Sequence, residues 1–124
     1  MATQNTTQQI KAGDYFYESW GYDQTNIDYL RVESVSPSGK SAMCKMARQI
    51  VIEAHLTSDS ISPGETYGEP FRMMVRFAEW REDRDLYLRG SYPFVENHGS
   101  RRMGSFDPCA EGATHYQTNS QSGH

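Results

Sequence analysis

The residues that could do chemistry as metal ligands or as a nucleophile cluster late in the chain. Four candidate ligands are present, His98, Cys109, His115 and His124. Structural zinc sites usually contain a closely spaced ligand pair such as C-x2-C or H-x3-H, and no such pair occurs here. Cys109, His115 and Asp107 could supply a nucleophile, a base and an orienting acid, but no oxyanion-hole loop or strand-turn-helix elbow surrounds them. We predict no catalytic residue, no metal site and no cofactor.

Carboxylates form two further groups that could do acid–base work or bind a divalent cation. The members are Glu18, Asp23 and Asp28 around an aromatic turn, and Glu79, Glu82, Asp83 and Asp85 in a charged segment. No recognisable calcium loop contains them, so we interpret both groups as solvated turn residues.

A stripe of arginines is the remaining candidate. Arg72, Arg76 and Arg89 fall on the polar faces of neighbouring predicted strands, and Arg31 and the Arg101-Arg102 pair lie elsewhere in the chain. If they converged near Trp20 and Tyr22, the surface could hold phosphate and stack bases, as small barrels do. An ordinary charged sheet face is the competing interpretation, and the net charge of −4 argues against a generally polycationic domain.

Composition bounds the class of protein. The chain has 124 residues, near the commonest domain size, and 12% of them are aromatic. Aromatic side chains bury large areas and can compensate for a mean hydropathy of −0.78. The polar N-terminus lacks the apolar stretch of a signal peptide, and no run approaches the roughly 18 apolar residues of a membrane span. We expect a cytoplasmic protein without membrane contact, with Cys44 and Cys109 as free thiols.

The elements that must position these residues are predicted from alternating side chains. The aromatic-rich residues 15–20 indicate a first strand. Residues 27–35 and 40–46 alternate on either side of the turn signal Ser-Pro-Ser-Gly at 36–39, which predicts a β-hairpin. Residues 71–77 alternate most clearly, with the arginines on the polar side.

Two stretches are harder to assign. The β-branched run at residues 50–52 predicts a buried strand, although a helix over residues 43–56 is the alternative because short apolar runs are ambiguous. Residues 57–70 contain many Ser, Gly and Pro residues and predict a long loop.

About five or six short strands indicate a mainly β protein. We predict a small antiparallel barrel or curled sheet and favour the SH3-like form. The prediction also allows one short helix. The domain prediction is a disordered N-terminal tail over residues 1–11, a single β-rich domain over 12–116, and a flexible C-terminal tail over 117–124.

The most specific segment joins the first two predicted strands. Residues 13–30 read GDYFYESWGYDQTNIDYL. This segment resembles a signature, GD-x-F…SWGYDQTN-hydrophobic-D/E-F/Y, of small, largely uncharacterised proteins carried by phages, plasmids and other mobile elements. The resemblance implies an accessory protein of a virus or mobile element, and it carries no catalytic residue over to this chain.

The turn in this signature has two physical interpretations. Trp20 and Tyr22 flank Gly21, so their rings either staple the hairpin or stand exposed as anchors for a partner. The polar residues after them can satisfy a turn internally. Our hypothesis for a binding surface comprises Trp20, Tyr22, Asp23, Gln24 and Asn26, with Arg72 and Arg76.

The functional expectation is a non-enzymatic binding module of a phage or mobile element. It would dock onto a host protein or nucleoprotein assembly, and inhibition of a host defence system is one form of this function. A host or phage protein is the expected partner. The alternative is a nucleic-acid-binding small β-barrel.

Overall fold

The computed structural model describes residues 10–21, 25–56, 58–77, 86–93, 101–110 and 113–118. These residues form seven β-strands, β1 (Tyr15–Trp20), β2 (Asn26–Val35), β3 (Ser41–Ala54), β4 (Ser58–Phe77), β5 (Leu86–Pro93), β6 (Arg101–Cys109) and β7 (His115–Thr118). No helix occurs in these ranges. The mainly β class is therefore confirmed, and the short helix is not found in the described part of the chain.

The first six strands close into a ring of sequence neighbours. Each strand from β1 to β5 pairs antiparallel with the next, and β6 pairs with β1 to close the ring. β7 adds to the outer part of β4, where Ser58 faces Thr118 and Ile61 faces His115. A small antiparallel barrel is thus confirmed, whereas the SH3-like form stays a prediction.

The interior of the ring holds the main core. Alternate side chains of a strand point to one face, so every second residue enters the barrel. The residues that lie there with under 2% of their surface exposed include Leu30, Val32, Cys44, Met73, Leu88, Tyr92 and Phe106. Burying a side chain of this size contributes about 1.5–3 kcal/mol, so these residues dominate the stability of the ring.

A second, smaller core lies outside the ring. Ile27, Tyr29, Ala47 and Ile61 are buried together, and the flanking Tyr15, Tyr17 and Cys109 are partly buried against them. Because β4 pairs with β7 in this region, the outer face of the β1–β2 hairpin is covered there and not exposed to solvent.

The predicted hairpin is confirmed and the predicted loop is wrong. β2 and β3 pair on either side of the turn, with Gly39 at a φ of 76°. Residues 58–70, by contrast, belong to β4, which runs unbroken to Phe77. The glycines and prolines bend this strand without ending it, because Gly68 takes a φ of 79° and the β3–β4 pairing shifts register at three places.

The apolar run at residues 50–52 is a strand but is not buried. The exposed fractions are 47% for Ile50, 55% for Val51 and 57% for Ile52. The helix alternative is also wrong, because residues 41–54 form one strand. This part of β3 extends past the ring, so only β4 and β7 lie beside it among the described residues.

The ends of the domain differ slightly from the prediction. Ile10, placed in the N-terminal tail, packs against the main core. β7 continues to Thr118, past the predicted boundary at residue 116. The rest of both predicted tails, residues 1–9 and 119–124, lies outside the described residues. No helix in the described ranges is long and apolar enough to span a membrane.

Candidate functional site

The signature segment forms the β1–β2 hairpin and places polar side chains at one end of the barrel. Glu18 lies opposite Asp28, and Trp20 lies opposite Asn26. Residues opposite each other in an antiparallel pair share a face. Phe16, two residues before Glu18, is in the main core, so this face is the interior one. The expectation that Glu18 and Asp28 are solvated turn residues is wrong, because both lie within strands and are partly buried.

Tyr92 joins the two carboxylates. Its hydroxyl donates to Asp28 Oδ2 at 2.8 Å and to Glu18 Oε1 at 3.1 Å. The second carboxylate oxygen of Glu18 accepts the backbone N–H of Ser105 at 3.0 Å. The Tyr92 ring is fully buried and packs edge-on against Phe106, with 4.9 Å between the ring centroids. The cluster therefore links β1, β2, β5 and β6 at one end of the ring.

Gly104 makes room for this arrangement. A Cβ atom at this position would lie 2.7 Å from Tyr92 Cε1 and 2.8 Å from Glu18 Oε1. Both distances are shorter than any ordinary carbon contact, and the tyrosine ring is fixed by the core around it. The position requires glycine because of this close approach.

Burial raises the pKa of Asp28 above its ordinary value, and the nearby negative charge of Glu18 acts in the same direction. Side-chain hydrogen bonds from Tyr92 and Trp20 lower the pKa, as does the positive charge of Arg102. The desolvation of the carboxylate is the largest of these effects. The surroundings of Asp28 therefore disfavour its ionised form overall, and the donors around it offset part of that effect.

Trp20 is part of this cluster and not a freely exposed anchor. Its ring packs against the main core, and the Arg102 guanidinium lies 5.1 Å from the ring centroid. The Asn26 side-chain nitrogen is buried without a hydrogen-bond partner among the residues described. Tyr22, Asp23 and Gln24 lie outside those residues. Contact of this turn with a partner therefore stays a prediction, while the Trp20 environment favours stapling.

A cleft of about 400 Å³ opens beside Asp28. Its lining includes Met46, Arg48 and Tyr67, and the Arg48 guanidinium lies 4.6 Å from the centroid of the Tyr67 ring. The described β2–β3 pairing ends at Tyr29 and Ala47, which is why the barrel wall opens there. The cleft offers one carboxylate and one guanidinium, a combination suited to polar contacts.

The last strand clamps the signature hairpin from outside. Gln117 Oε1 accepts the Ile27 N–H at 2.9 Å, and the Gln117 and Gln49 amides bond to each other at 2.7 and 3.0 Å. Thr118 donates its N–H to the Thr25 carbonyl and accepts the Thr25 N–H on its hydroxyl, both at 2.9 Å. Sequence reasoning missed this clamp, because only the fold brings these residues together.

Two of the late metal-ligand and nucleophile candidates, Cys109 and His115, lie beside the smaller core. His115 Nδ1 lies 2.8 Å from the Tyr29 hydroxyl, and its ring packs on Tyr17 with 4.1 Å between centroids. Burial raises the pKa of the Cys109 thiol, which disfavours the reactive thiolate. His98 and His124 fall outside the described ranges. Within those ranges no group of three or more His, Cys, Asp or Glu residues could hold a metal ion.

The predicted arginines lie on the outer surface of the ring. Arg72 and Arg76 on β4 and Arg89 on β5 are all exposed. They lie on the opposite side of these strands from the barrel interior and do not converge with Trp20, which packs against the main core. These three arginines are therefore not brought to Trp20 in the described part of the chain, whereas Arg102 is, with its guanidinium 5.1 Å from the Trp20 ring centroid.

A surface that sequence reasoning missed is the projecting end of β3 with the two residues after it, residues 49–56, which we call the aliphatic arm. Ile50, Val51, Ile52 and Leu56 are between 47% and 83% exposed. The nearby Tyr116 of β7 is 62% exposed, and its ring lies 5.9 Å from that of His55. The only sequence signal for this surface was a short aliphatic run next to a loop-like stretch.

No protein-family model matches this chain, and neither the curated proteins nor the solved structures include one that is significantly similar to it.

Proposed function

We propose that this chain is a non-enzymatic binding module of a phage or mobile element, and that it docks onto a host protein or nucleoprotein assembly in the host cytoplasm. The mobile-element origin is supported by the resemblance of residues 13–30 to the signature described above. Inhibition of a host defence system is one form that such docking takes. The observation that carries the binding function is the exposure of the aliphatic arm.

The arm has the properties of a protein-docking surface. Contiguous exposed apolar side chains mark interaction sites when polar residues surround them. Ile50 and Ile52 lie on one side of the strand and Val51 on the other, so both sides of the arm are apolar. Solvent exposure of these side chains is a cost that a partner protein would remove by covering them.

The backbone of the arm is also available for pairing. Residues 50–54 pair with β4 on one side, and no other described strand pairs with them on the other. Proteins usually protect such an edge with lysine, proline or several charges, but residues 49–56 contain a single acid, Glu53, beside His55. We infer that an extended segment of the partner adds to this edge and that its apolar side chains cover the arm.

A charge substitution on the arm tests this function. The double variant Val51→Lys, Ile52→Lys places two cations where two exposed aliphatic side chains stand, so the fold is retained. Met103→Lys is the matched control, because Met103 is also 57% exposed but lies on β6. Tagged wild-type and variant proteins are used to capture partners from the natural host, and the captured protein is then purified and titrated against each of them.

The expected result is a purified partner that binds the wild type and the Met103→Lys control alike and the arm variant at least ten-fold more weakly. Equal affinity for all three proteins contradicts docking through the arm. Light scattering after size exclusion identifies a competing occupant. A wild-type dimer that becomes monomeric in the arm variant means that a second copy, and not a partner protein, covers the arm.

A further inference from the structure

The outer face of β4, β5 and β6 carries four arginines. The register aligns Met74 with Arg89, Arg76 with Tyr87, Arg89 with Ser105 and Ser91 with Met103. Cross-strand partners share a face, and so do alternate residues along one strand. Arg72, Arg76, Arg89 and Arg101 therefore point to the same side, and all four are exposed. We call this surface the arginine face.

Acidic residues are absent from the strand segments that form the arginine face. Residues 72–76, 87–91 and 101–105 contain no Asp or Glu, nor do residues 41–43 of the adjoining β3. The structure records no ion pair from these four guanidinium groups to a carboxylate in the part of the chain it describes. A chain with a net charge of −4 thus presents strand segments whose described charges are all positive, and Asp107, the next outward-facing residue of β6, marks the end of this surface beside Tyr87. The acidic segment between β4 and β5, residues 78–85, lies outside the described residues.

The spacing and orientation of the guanidinium groups suit a chain of phosphates. Arg89 is diagonal to both Arg72 and Arg76 across the β4–β5 pair, and diagonal neighbours are about 7–8 Å apart. Arg89 Nη1 donates to Ser105 Oγ at 2.7 Å, and Arg101 Nη2 donates to the Ser91 carbonyl at 2.7 Å. These bonds hold two of the side chains along the sheet surface. Each guanidinium has five N–H donors, so donors remain for a ligand.

We propose that the arginine face binds the phosphate backbone of a nucleic acid. Arginine at every cationic position favours this ligand over a carboxylate surface, because guanidinium is less strongly hydrated than ammonium, bonds phosphate through two parallel N–H groups and stacks on bases. Tyr87, half-buried between the arginines, adds an aromatic ring to the same face. The face adjoins the start of β3, whereas the aliphatic arm is the far end of that strand, so nucleic acid and a partner protein do not compete for one surface.

Salt-dependent binding measures the contacts directly. Fluorescence anisotropy is followed with a labelled 20-nucleotide single strand, the corresponding duplex, and labelled poly-glutamate, over a series of salt concentrations. Each phosphate neutralised on a single strand adds about −0.7 to the slope of log K against log salt, so four contacts give a slope of about −3. The two nucleic-acid probes separate single-strand from duplex binding.

The decisive variant is Arg72→Ala, Arg76→Ala. Losing two contacts lowers single-strand affinity by about 25-fold at 0.1 M salt and reduces the slope by about 1.4 in magnitude. Lys11→Ala, Arg48→Ala is the matched control, because it removes the same charge from two exposed positions off the arginine face. Circular dichroism melting of both variants establishes that they are folded.

The proposal is supported if the arginine variant loses nucleic-acid affinity and the control retains it. It is overturned if both variants weaken binding equally, since net charge alone would then account for the attraction. It is also overturned if the wild type binds neither nucleic acid at 0.05 M salt, or if poly-glutamate binds as tightly as the nucleic acids do.

Discussion

The Tyr92 hydroxyl is the central donor of the cluster at the barrel end, and Tyr92→Phe removes it with little other change. The phenyl ring keeps its edge-on contact with Phe106, so packing is preserved. What is lost is the proton that the hydroxyl shares between Asp28 and Glu18, at 2.8 and 3.1 Å. The perturbation therefore isolates one hydrogen-bonding group in an interior where Tyr92 has no exposed surface.

The expected loss of stability follows from the charge of the acceptors. A hydrogen bond to a charged group contributes about 1.5–3 kcal/mol, more than a bond between neutral groups. The hydroxyl has a single proton, so the two contacts count as one shared bond. We expect Tyr92→Phe to lower the free energy of unfolding by about 2–3 kcal/mol at pH 7, measured by urea denaturation.

The loss of stability caused by Tyr92→Phe should become smaller as the pH falls. Burial raises the folded-state pKa of Asp28 above its ordinary value of 3.8, so ionisation of Asp28 opposes folding. This unfavourable contribution is absent below the unfolded-state pKa and complete above the folded-state pKa. Removing the Tyr92 donor raises the folded-state pKa further, which enlarges the contribution. The difference in the free energy of unfolding between wild type and variant is therefore greatest at neutral pH, and it becomes smaller as the pH falls through the folded-state pKa of Asp28.

Urea titrations at intervals from pH 7.5 to pH 4.5 check both statements. Tyr116→Phe is the control, because Tyr116 is 62% exposed and its hydroxyl is outside the cluster. An exposed substitution of this kind changes stability by no more than about 0.5 kcal/mol. A Tyr92→Phe variant as stable as the control at pH 7, or a difference that does not change with pH, would refute the assigned role of the hydroxyl.

Two further predictions follow from burial. Gly104→Ala brings a methyl group to 2.7 Å from the Tyr92 ring and should lower the free energy of unfolding, measured in urea, by about 1–3 kcal/mol. The neighbouring Met103→Ala is the control and should lower it by less than about 0.5 kcal/mol. Equal effects of the two substitutions would mean that the Tyr92 ring moves aside. Burial raises the pKa of the Cys44 thiol to about 12, so a disulfide reagent at pH 8 should modify Cys44 only after the protein unfolds. Cys109 should react slowly in the native protein, and mass spectrometry of the labelled chain measures both reactions. Rapid labelling of Cys44 in the native protein would contradict its burial.

The strands that sequence reasoning located correctly are those with local signals. Residues 15–20 and the β2–β3 hairpin combine alternating side chains with clear turn residues, and both are confirmed. The first part of β4 was predicted as a loop because Gly and Pro usually indicate loops. In the structure these residues lie where the long strand bends, beside the positions at which the β3–β4 pairing shifts register. Local composition does not distinguish a bend within a strand from a loop between strands.

The exposure of the aliphatic arm could not be predicted, because β-branched alternation indicates a strand without showing what covers it. Half of the polar cluster, Glu18 and Asp28, could be predicted from the sequence. Glu18 and Asp28 are equally far from the middle of the turn, so hairpin pairing alone places them opposite each other. The positions of Tyr92 and Gly104 could not be predicted from the sequence. They lie on β5 and β6, and the pairings of these strands depend on closure of the whole ring.

The clamp on the first hairpin has a consequence for how the chain is completed during synthesis. Thr25 and Ile27 receive their partners from Thr118 and Gln117, which follow 93 and 90 residues later. Contacts of such long range form late, because the entropy of closing the intervening chain opposes them. The β3–β4 hairpin, made of sequence neighbours, can form while the ribosome is still adding residues, and its aliphatic arm is then already exposed. A nascent chain that has not yet released β7 can therefore expose the aliphatic arm before β7 binds the signature hairpin.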